Sequence, residues 1–302
     1  MHYVSGGSSG GISAFVIAWF HPDYFHRVYM SSPSFLAMGR GNEVPYLVRK
    51  YETKPLRIYE ECSEFEPNEY FGWSCPIDDE ARETLQFSGY DFACVSFPGE
   101  GHISRYRDED EAYKRNEWIW RNWQTEPIVA KGNSKRVDCV IPRSGKWEPC
   151  ETFPQNKTDV PAPLSEAFGH AVLSNDGLAW YAANENEDVV YLSPNDGVFS
   201  PASRLTHAML HTVSRIEPKG AIDMAVDRED RLYVLTAIGI QCVRSFGLID
   251  VILDLPDRSK PLGIAVTDAL YVRTETGVYR RELCAECVTG ESGQRKHTGY
   301  YD

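Results

Sequence analysis

The sequence predicts two folds in one chain, an α/β unit followed by an all-β unit. Three observations carry that division. Up to about Trp123, short apolar strands alternate with helical patterns, the texture of parallel βαβ units. Prolines 127, 142, 154, 161 and 163, set among polar residues, then interrupt the pattern. Beyond them, strand–turn–strand units recur at a spacing of roughly 40 residues, as in propeller blades. The expected organisation is an α/β unit over 1–125, a linker or an irregular first strand over 126–163, a partial β-propeller over 164–283 and a polar tail over 284–302. Three to four blades fit, fewer than a usual closed ring.

In the first unit, Tyr3–Ser5 reads as the end of a strand, and GGISAFVIAWF over Gly10–Phe20 as an apolar helix stopped by the His21-Pro22-Asp23 turn. Arg27–Met30 and Leu56–Tyr59 read as further strands. Asp78–Phe87 reads as a helix whose Asp78 and Asp79 suit its positive N-terminal end. Phe92–Phe97 is a fourth strand running into the turn Pro98–Gly101, and a charged helix covers roughly Asp108–Trp123. Tyr113, Trp120 and Trp123 of that helix are expected to pack back on the sheet. In the second unit, AVLSNDGLAWYAAN, DVVYLSPNDGVF, IDMAVDREDRLYVLT, GIQCVRSFGLIDVIL, PLGIAVTDALYVRT and GVYRREL supply the strand pairs.

Composition narrows the function. A formal charge of −13, from 44 acidic and 31 basic side chains, repels phosphate backbones and anionic lipid, so neither nucleic acid nor membrane is an expected partner. No apolar run approaches the ~20 residues of a bilayer span, and the first residues lack a signal peptide. The default location is cytoplasmic, or periplasmic or secreted if a signal precedes Met1. The eight cysteines are scattered and read mostly as reduced thiols. Cys284 and Cys287 form one CxxC without the second pair that a tetrahedral metal site needs. No metal and no cofactor are expected.

The sharpest motif is Gly6-Gly7-Ser8-Ser9-Gly10-Gly11, a G-x-S-x-G between a strand and a helix. Its glycines permit the tight turn that would lift the Ser8 hydroxyl above the sheet, with the Ser9 N–H as oxyanion donor. A phosphate-cradling loop is the competing reading, but neither the GxxxxGK[ST] lysine nor a GxGxxG register is present. A serine hydroxyl needs a base, and His102, after the last strand of the unit, is the histidine that chain order favours. The orienting acid is expected in EECSEFEPNEYF after the preceding strand. Glu66 has the expected distance and Glu64 is the second choice.

The runs VSGGSSGGISAFVIAWFHPDYFHRVYMSSPSF, KPLRIYEE, GYDFACVSFPGEGH and WIWRNW resemble the C-terminal half of the enterochelin esterase-like family of α/β hydrolases. That resemblance covers about residues 1–125. It implies ester or lactone hydrolysis, with Ser8 as nucleophile and His102 as base. The family's acid, usually an Asp in a DGxND-like loop, is replaced locally, so Glu66 is assigned by position. IDMAVDREDRLYVLTAIGIQCV and ALYVRTETGVYRREL resemble the regucalcin/gluconolactonase group of six-bladed propellers, which hold one divalent metal through Glu, Asn and Asp. The resemblance fails at the ligands, because Phe168 and Ile222 stand where that group has an Asn and an Asp, although Asp223 is adjacent.

The expected function is therefore a serine esterase acting through an acyl-enzyme on a small-molecule or carbohydrate-linked ester. Its alternatives are a non-catalytic binding or partner platform built on the propeller and, behind it, a metal-dependent sugar lactonase. The chain begins at the elbow strand, which would leave a bare sheet edge and one oxyanion donor short. A separate N-terminal half or a homo-oligomer is the partner this implies.

Overall fold

The structure is a computed structural model that describes residues 2–102, 109–125, 128, 136–142, 145–155, 159–197, 204–213 and 216–289. The chain divides into two compact units, Met1–Ser134 and Lys135–Asp302. No helix among the described residues is long and apolar enough to cross a membrane.

The first unit runs β1 (His2–Gly7), α1 (Ser9–Phe20), β2 (Phe25–Ser31), α2 (Val44–Lys50), β3 (Arg57–Phe65), the short pair β4 (Asn68–Glu69) and β5 (Gly72–Trp73), α3 (Ser74–Phe87), β6 (Asp91–Gly101) and α4 (Glu109–Trp120). The main strands form one parallel sheet in the order β1-β2-β3-β6. Parallel neighbours require crossovers, and α1, α2 and α3 lie on those crossovers. Phe15 and Trp19 of α1 are fully buried, as are Val28 and Met30 of β2 and Ile58 of β3. Two buried arginines fix the end of α4: Arg27 Nε donates to the Ile119 carbonyl at 2.9 Å, and Arg57 Nη1 to the Arg121 carbonyl at 2.7 Å. Those cations meet the C-terminal carbonyls that a helix leaves without intrahelical partners.

Two expectations for this unit need correction. Tyr113 and Trp123 do not pack on the sheet but are 69% and 51% exposed; Ile119 is the fully buried residue of α4, and Trp118 packs on Tyr59 of β3. Aromatic character suggested burial, but the 3.6-residue period decides which side of the helix faces in. Asp78 is not a surface anion at a helix start. It lies beyond the first turn of α3, is buried, and neither carboxyl oxygen has a hydrogen-bond partner among the described residues.

The second unit is almost all strand, in three four-stranded antiparallel sheets. The first contains β8 (His170–Leu173), β9 (Ala179–Ala183), β10 (Val189–Pro194) and β11 (Leu205–Met209); the second contains β12 (Asp223–Val226), β13 (Leu232–Thr236), β14 (Gly239–Val243) and β15 (Ile249–Leu253). The third is β16 (Pro261–Val266), β17 (Leu270–Thr274), β18 (Val278–Arg281) and, on its outer edge, β7 (Glu148–Cys150). Of the two readings of 126–163, a linker or an irregular first strand, the second describes Glu148–Cys150, which supply the strand that completes the last sheet. A helix, α5 (Ala162–Phe168), leads into β8, and α6 (Ala285–Thr289) occupies the start of the stretch expected to be a polar tail. The remainder of that tail, 290–302, lies outside the described residues.

Adjacent sheets are stitched by carboxylates. Asp223 of β12 accepts the Ile264 N–H of β16 at 2.9 Å, and Asp230, in the β12–β13 turn, accepts the Tyr181 hydroxyl of β9 at 3.0 Å. Tyr233, Leu235, Ile240, Cys242, Val251 and Ile264 are buried in a core that spans the second and third sheets. This succession of small four-stranded sheets is propeller-like.

Candidate functional site

The turn between β1 and α1 holds Ser8 in a strained conformation, φ 55° and ψ −127°, that an L-residue adopts only when its surroundings determine it. The surroundings are explicit. Ser8 N–H donates to the Ser31 carbonyl at 2.9 Å, and the Ser8 carbonyl accepts the N–H of Gly11 at 2.9 Å and of Ser34 at 3.1 Å. Glycine is needed beside it, since a Cβ on Gly6 would lie 2.1 Å from the Gly10 carbonyl oxygen.

Among the described residues, two side chains reach the Ser8 hydroxyl. His102 Nε2 lies 2.9 Å from Ser8 Oγ, and Ser34 Oγ lies 3.1 Å away. On the other side of the ring, His102 Nδ1 lies 2.5 Å from Glu66 Oε2. Glu66 is fixed in turn, because its Oε1 accepts the Ser63 N–H at 3.0 Å and its side chain is only 2% exposed. A buried carboxylate that accepts from Nδ1 selects the tautomer whose Nε2 can take the Ser8 proton. Of the sequence-predicted residues, Ser8, His102 and Glu66 come together in one hydrogen-bonded line. Glu64 stands apart, accepting the Gly99 N–H at 2.7 Å near the end of β6, so Pro98–Gly101, expected to be a turn, belongs to that strand. Ser9 opens α1, and its N–H meets no acceptor among the described residues.

Sequence reasoning missed Ser34. Its only signal was the SSPSF run after β2, a pattern common in ordinary turns. It also missed a buried acidic group beside Glu66. Burial raises Glu60 from the ordinary carboxylate range to about 7, against the pull of Arg82, whose Nε lies 2.9 Å away. Burial, reinforced by the charges of Glu60 and Glu66, raises Asp78 to about 9. Next to them, a cavity of about 360 Å³ is lined by Cys62, Ser63, Glu66, Cys75, Arg82 and Phe97, among others.

In the second unit the divalent-ion site implied by the propeller resemblance does not fit. Phe168 is buried in an apolar cluster with Leu164, Trp180 and Ala182, and Ile222 belongs to the core of the second and third sheets. Asp223, the remaining oxygen donor of that set, is occupied at Oδ2 by Ile264 N–H and at Oδ1 by its own neighbour Met224 N–H, both at 2.9 Å. No group of three or more His, Cys, Asp or Glu side chains among the described residues is arranged to hold a metal. The CxxC thiols point to backbone carbonyls instead, Cys284 to Asp138 and Cys287 to Cys139.

No family model and no curated protein matches this chain. Solved structures do. They include a gluconolactonase from Xanthomonas campestris (16% identity, TM-score 0.31, covering 38% of this chain and 37% of that one). A putative gluconolactonase matches at 11% identity and TM-score 0.29, with 38% of each chain covered. A virginiamycin B lyase from Staphylococcus aureus matches at 12% identity and TM-score 0.26, with 45% of each covered. The chain thus spans less than half the length of each of these structures.

The serine-esterase expectation is corrected here. The similar solved structures are lactonase and lyase propellers, and none of these three is an ester hydrolase of the enterochelin esterase type.

Proposed function

We propose that this chain is a binding protein built on its propeller-like unit, and that the Met1–Ser134 unit carries a reactive serine, Ser8, operated by His102 and Glu66. Ester hydrolysis is no part of this reading. In the propeller-like unit, the residues at the expected metal positions are core residues, so the platform in this reading, for a small-molecule or carbohydrate-linked ligand, uses no cation there. We read the four parallel strands of the first unit as half of an α/β-hydrolase type sheet, with the turn at Ser8 as its nucleophile elbow.

One observation carries the reactive-serine reading: the 2.9 Å and 2.5 Å contacts on either side of the His102 ring, aligned on a serine held at φ 55°. Proton transfer from Ser8 Oγ to His102 Nε2 would leave an imidazolium facing the Glu66 carboxylate, while the oxygen attacks an electrophilic centre. The Ser9 N–H would donate to the negative charge that develops there.

The test is covalent capture by the full chain. With a fluorophosphonate probe, Ser8 Oγ attacks phosphorus, fluoride leaves and the serine proton passes to His102. One adduct per chain should map to Ser8. It should vanish in Ser8→Ala and form at least ~10²-fold more slowly in His102→Ala, the usual contribution of a positioned base. A folded chain that takes no label, or takes it elsewhere, would overturn the assignment.

A further inference from the structure

The face of β3 that looks toward α3 carries a second reactive pair. Cys62 on β3 and Cys94 on β6 are 3.7 Å apart, sulfur to sulfur. Both are free thiols, so no bond joins them, and closing to the ~2.0 Å of a disulfide requires a shift of less than 2 Å. Their surroundings differ. Cys62 Sγ lies 2.9 Å from Ser96 Oγ, and Cys62 lines the cavity of about 360 Å³ together with Arg82, Glu66 and Cys75. Cys94 is register-paired with the buried Glu60.

We propose that Cys62 and Cys94 form a peroxide-sensitive thiol pair, with Cys62 the attacking thiol at the cavity wall and Cys94 the resolving thiol. The Cys62 thiol is lowered by its hydrogen bond from Cys94, with Ser96 and Arg82 adding to the effect, so thiolate character falls on the sulfur that lines the cavity. Cys94 is raised, by its contact with Cys62, by burial and by Glu60, so it keeps its proton for the second step. Cys62 sulfur attacks one oxygen of hydrogen peroxide, the O–O bond breaks, and hydroxide leaves to become water, giving a sulfenic acid. Cys94 sulfur then attacks Cys62 sulfur, the S–O bond breaks, and a second water leaves with the Cys94 proton. Two thiols are oxidised to one disulfide and one peroxide is reduced to two waters.

The pair is coupled to the serine site by one peptide group. The residue after Cys62 is Ser63, whose N–H holds Glu66 Oε1 at 3.0 Å, and Glu66 holds His102. Drawing Cys62 toward β6 moves that N–H, and the acid behind His102 moves with it. This consequence rests on the reactive-serine reading; the thiol pair does not.

The experiment treats the reduced full chain with a few equivalents of hydrogen peroxide, blocks the remaining thiols with N-ethylmaleimide and maps the peptides by mass. The expected product is a Cys62–Cys94 cross-link, two hydrogens lighter and reversed by dithiothreitol. In Cys94→Ser, Cys62 should instead accumulate as a sulfenic acid that dimedone captures. If that variant fails to fold, the map of the unaltered chain still decides. A Cys62–Cys75 cross-link, or Cys62 still a thiol while other cysteines oxidise, would overturn the pair. The oxidised chain should also take up fluorophosphonate at Ser8 roughly tenfold to a hundredfold more slowly, the cost of displacing a positioning group by a fraction of an ångström to an ångström. Unchanged labelling with the cross-link in place would overturn the coupling. No labelling of the reduced chain, with the cross-link still forming, would refute the reactive serine and leave the thiol pair standing.

Discussion

Replacing Asp78 by Asn removes a buried carboxyl whose two oxygens meet no donor, and the size of the effect follows from its raised proton affinity. In the unfolded chain Asp78 ionises near its ordinary 3.8, while in the fold burial, then Glu60 and Glu66, raise it to about 9. A carboxyl raised on folding contributes stability that is fully present below the unfolded value and is lost as pH rises toward the folded one. Each pH unit in that window costs about 1.4 kcal/mol. By pH 7 the accumulated loss is about 4 kcal/mol as an upper figure, and by pH 5 under 2 kcal/mol. The Asn amide brings its own unmet donors, at about 1–3 kcal/mol, but that cost does not change with pH. The difference in stability between Asp78→Asn and the unaltered chain should therefore rise by about 2–3 kcal/mol from pH 5 to pH 7, in favour of Asn. Glu60 is present in both proteins and cancels to first order. The assay is urea unfolding of the first unit at both pH values, read by mass spectrometry from the hydrogen exchange of its buried β2 and β3 peptides. Parallel stabilities at pH 5 and pH 7 would refute the argument and mean that Asp78 is ionised or hydrated in the fold.

Two further outcomes follow from the geometry. Gly6→Ala places a methyl 2.1 Å from the Gly10 carbonyl oxygen, a clash with backbone that no rotamer relieves, and should lower the stability of the first unit by about 3 kcal/mol and abolish fluorophosphonate labelling of Ser8. A variant that melts and labels as the unaltered chain does would show that the turn is not as tight as described. Calcium or zinc at millimolar concentration should leave the melting temperature of the chain unchanged, because Phe168 and Ile222 offer no oxygen. A saturable rise would restore the metal-bound reading of the propeller.

Ser8, His102 and Glu66 could be named from sequence because chain order constrains them: an elbow between strand and helix, an acid just past a later strand, a histidine past the next one. Their meeting in space follows from the parallel sheet, whose loops emerge at the same end of the strands. What order cannot supply is register. Cys62 and Cys94 are neighbours because β3 and β6 align Glu60 with Cys94 and Cys62 with Ser96, and a slip of one residue would turn them to opposite faces. β7 could be anticipated only as an irregular strand somewhere in 126–163, for a related reason. Its three residues, Glu148–Cys150, include a proline and carry no alternation, and they become a strand only by pairing with Val278–Arg280. The functional class was the least legible level: a short motif and chain order suggested the residues of a candidate site, but the esterase activity attached to it came from resemblance and did not stand.

The charges on β3 explain how one strand serves both of its faces. Successive residues point to opposite sides of the sheet, so Glu60 and Glu61 are adjacent in sequence but meet different partners. Glu61 is held by the Tyr29 hydroxyl at 2.7 Å and Arg115 at 3.0 Å, whereas Glu60 pairs with Arg82 on α3 and shares its surroundings with Asp78. On the α3 side one guanidinium stands among Glu60, Asp78 and Glu66, and it cannot compensate three buried negative charges. Burial raises both Glu60 and Asp78, with the charges of Glu60 and Glu66 adding to the effect on Asp78, and Glu66 is the carboxylate that faces His102. The proton held on Asp78 thus keeps a further negative charge away from the acid of the relay.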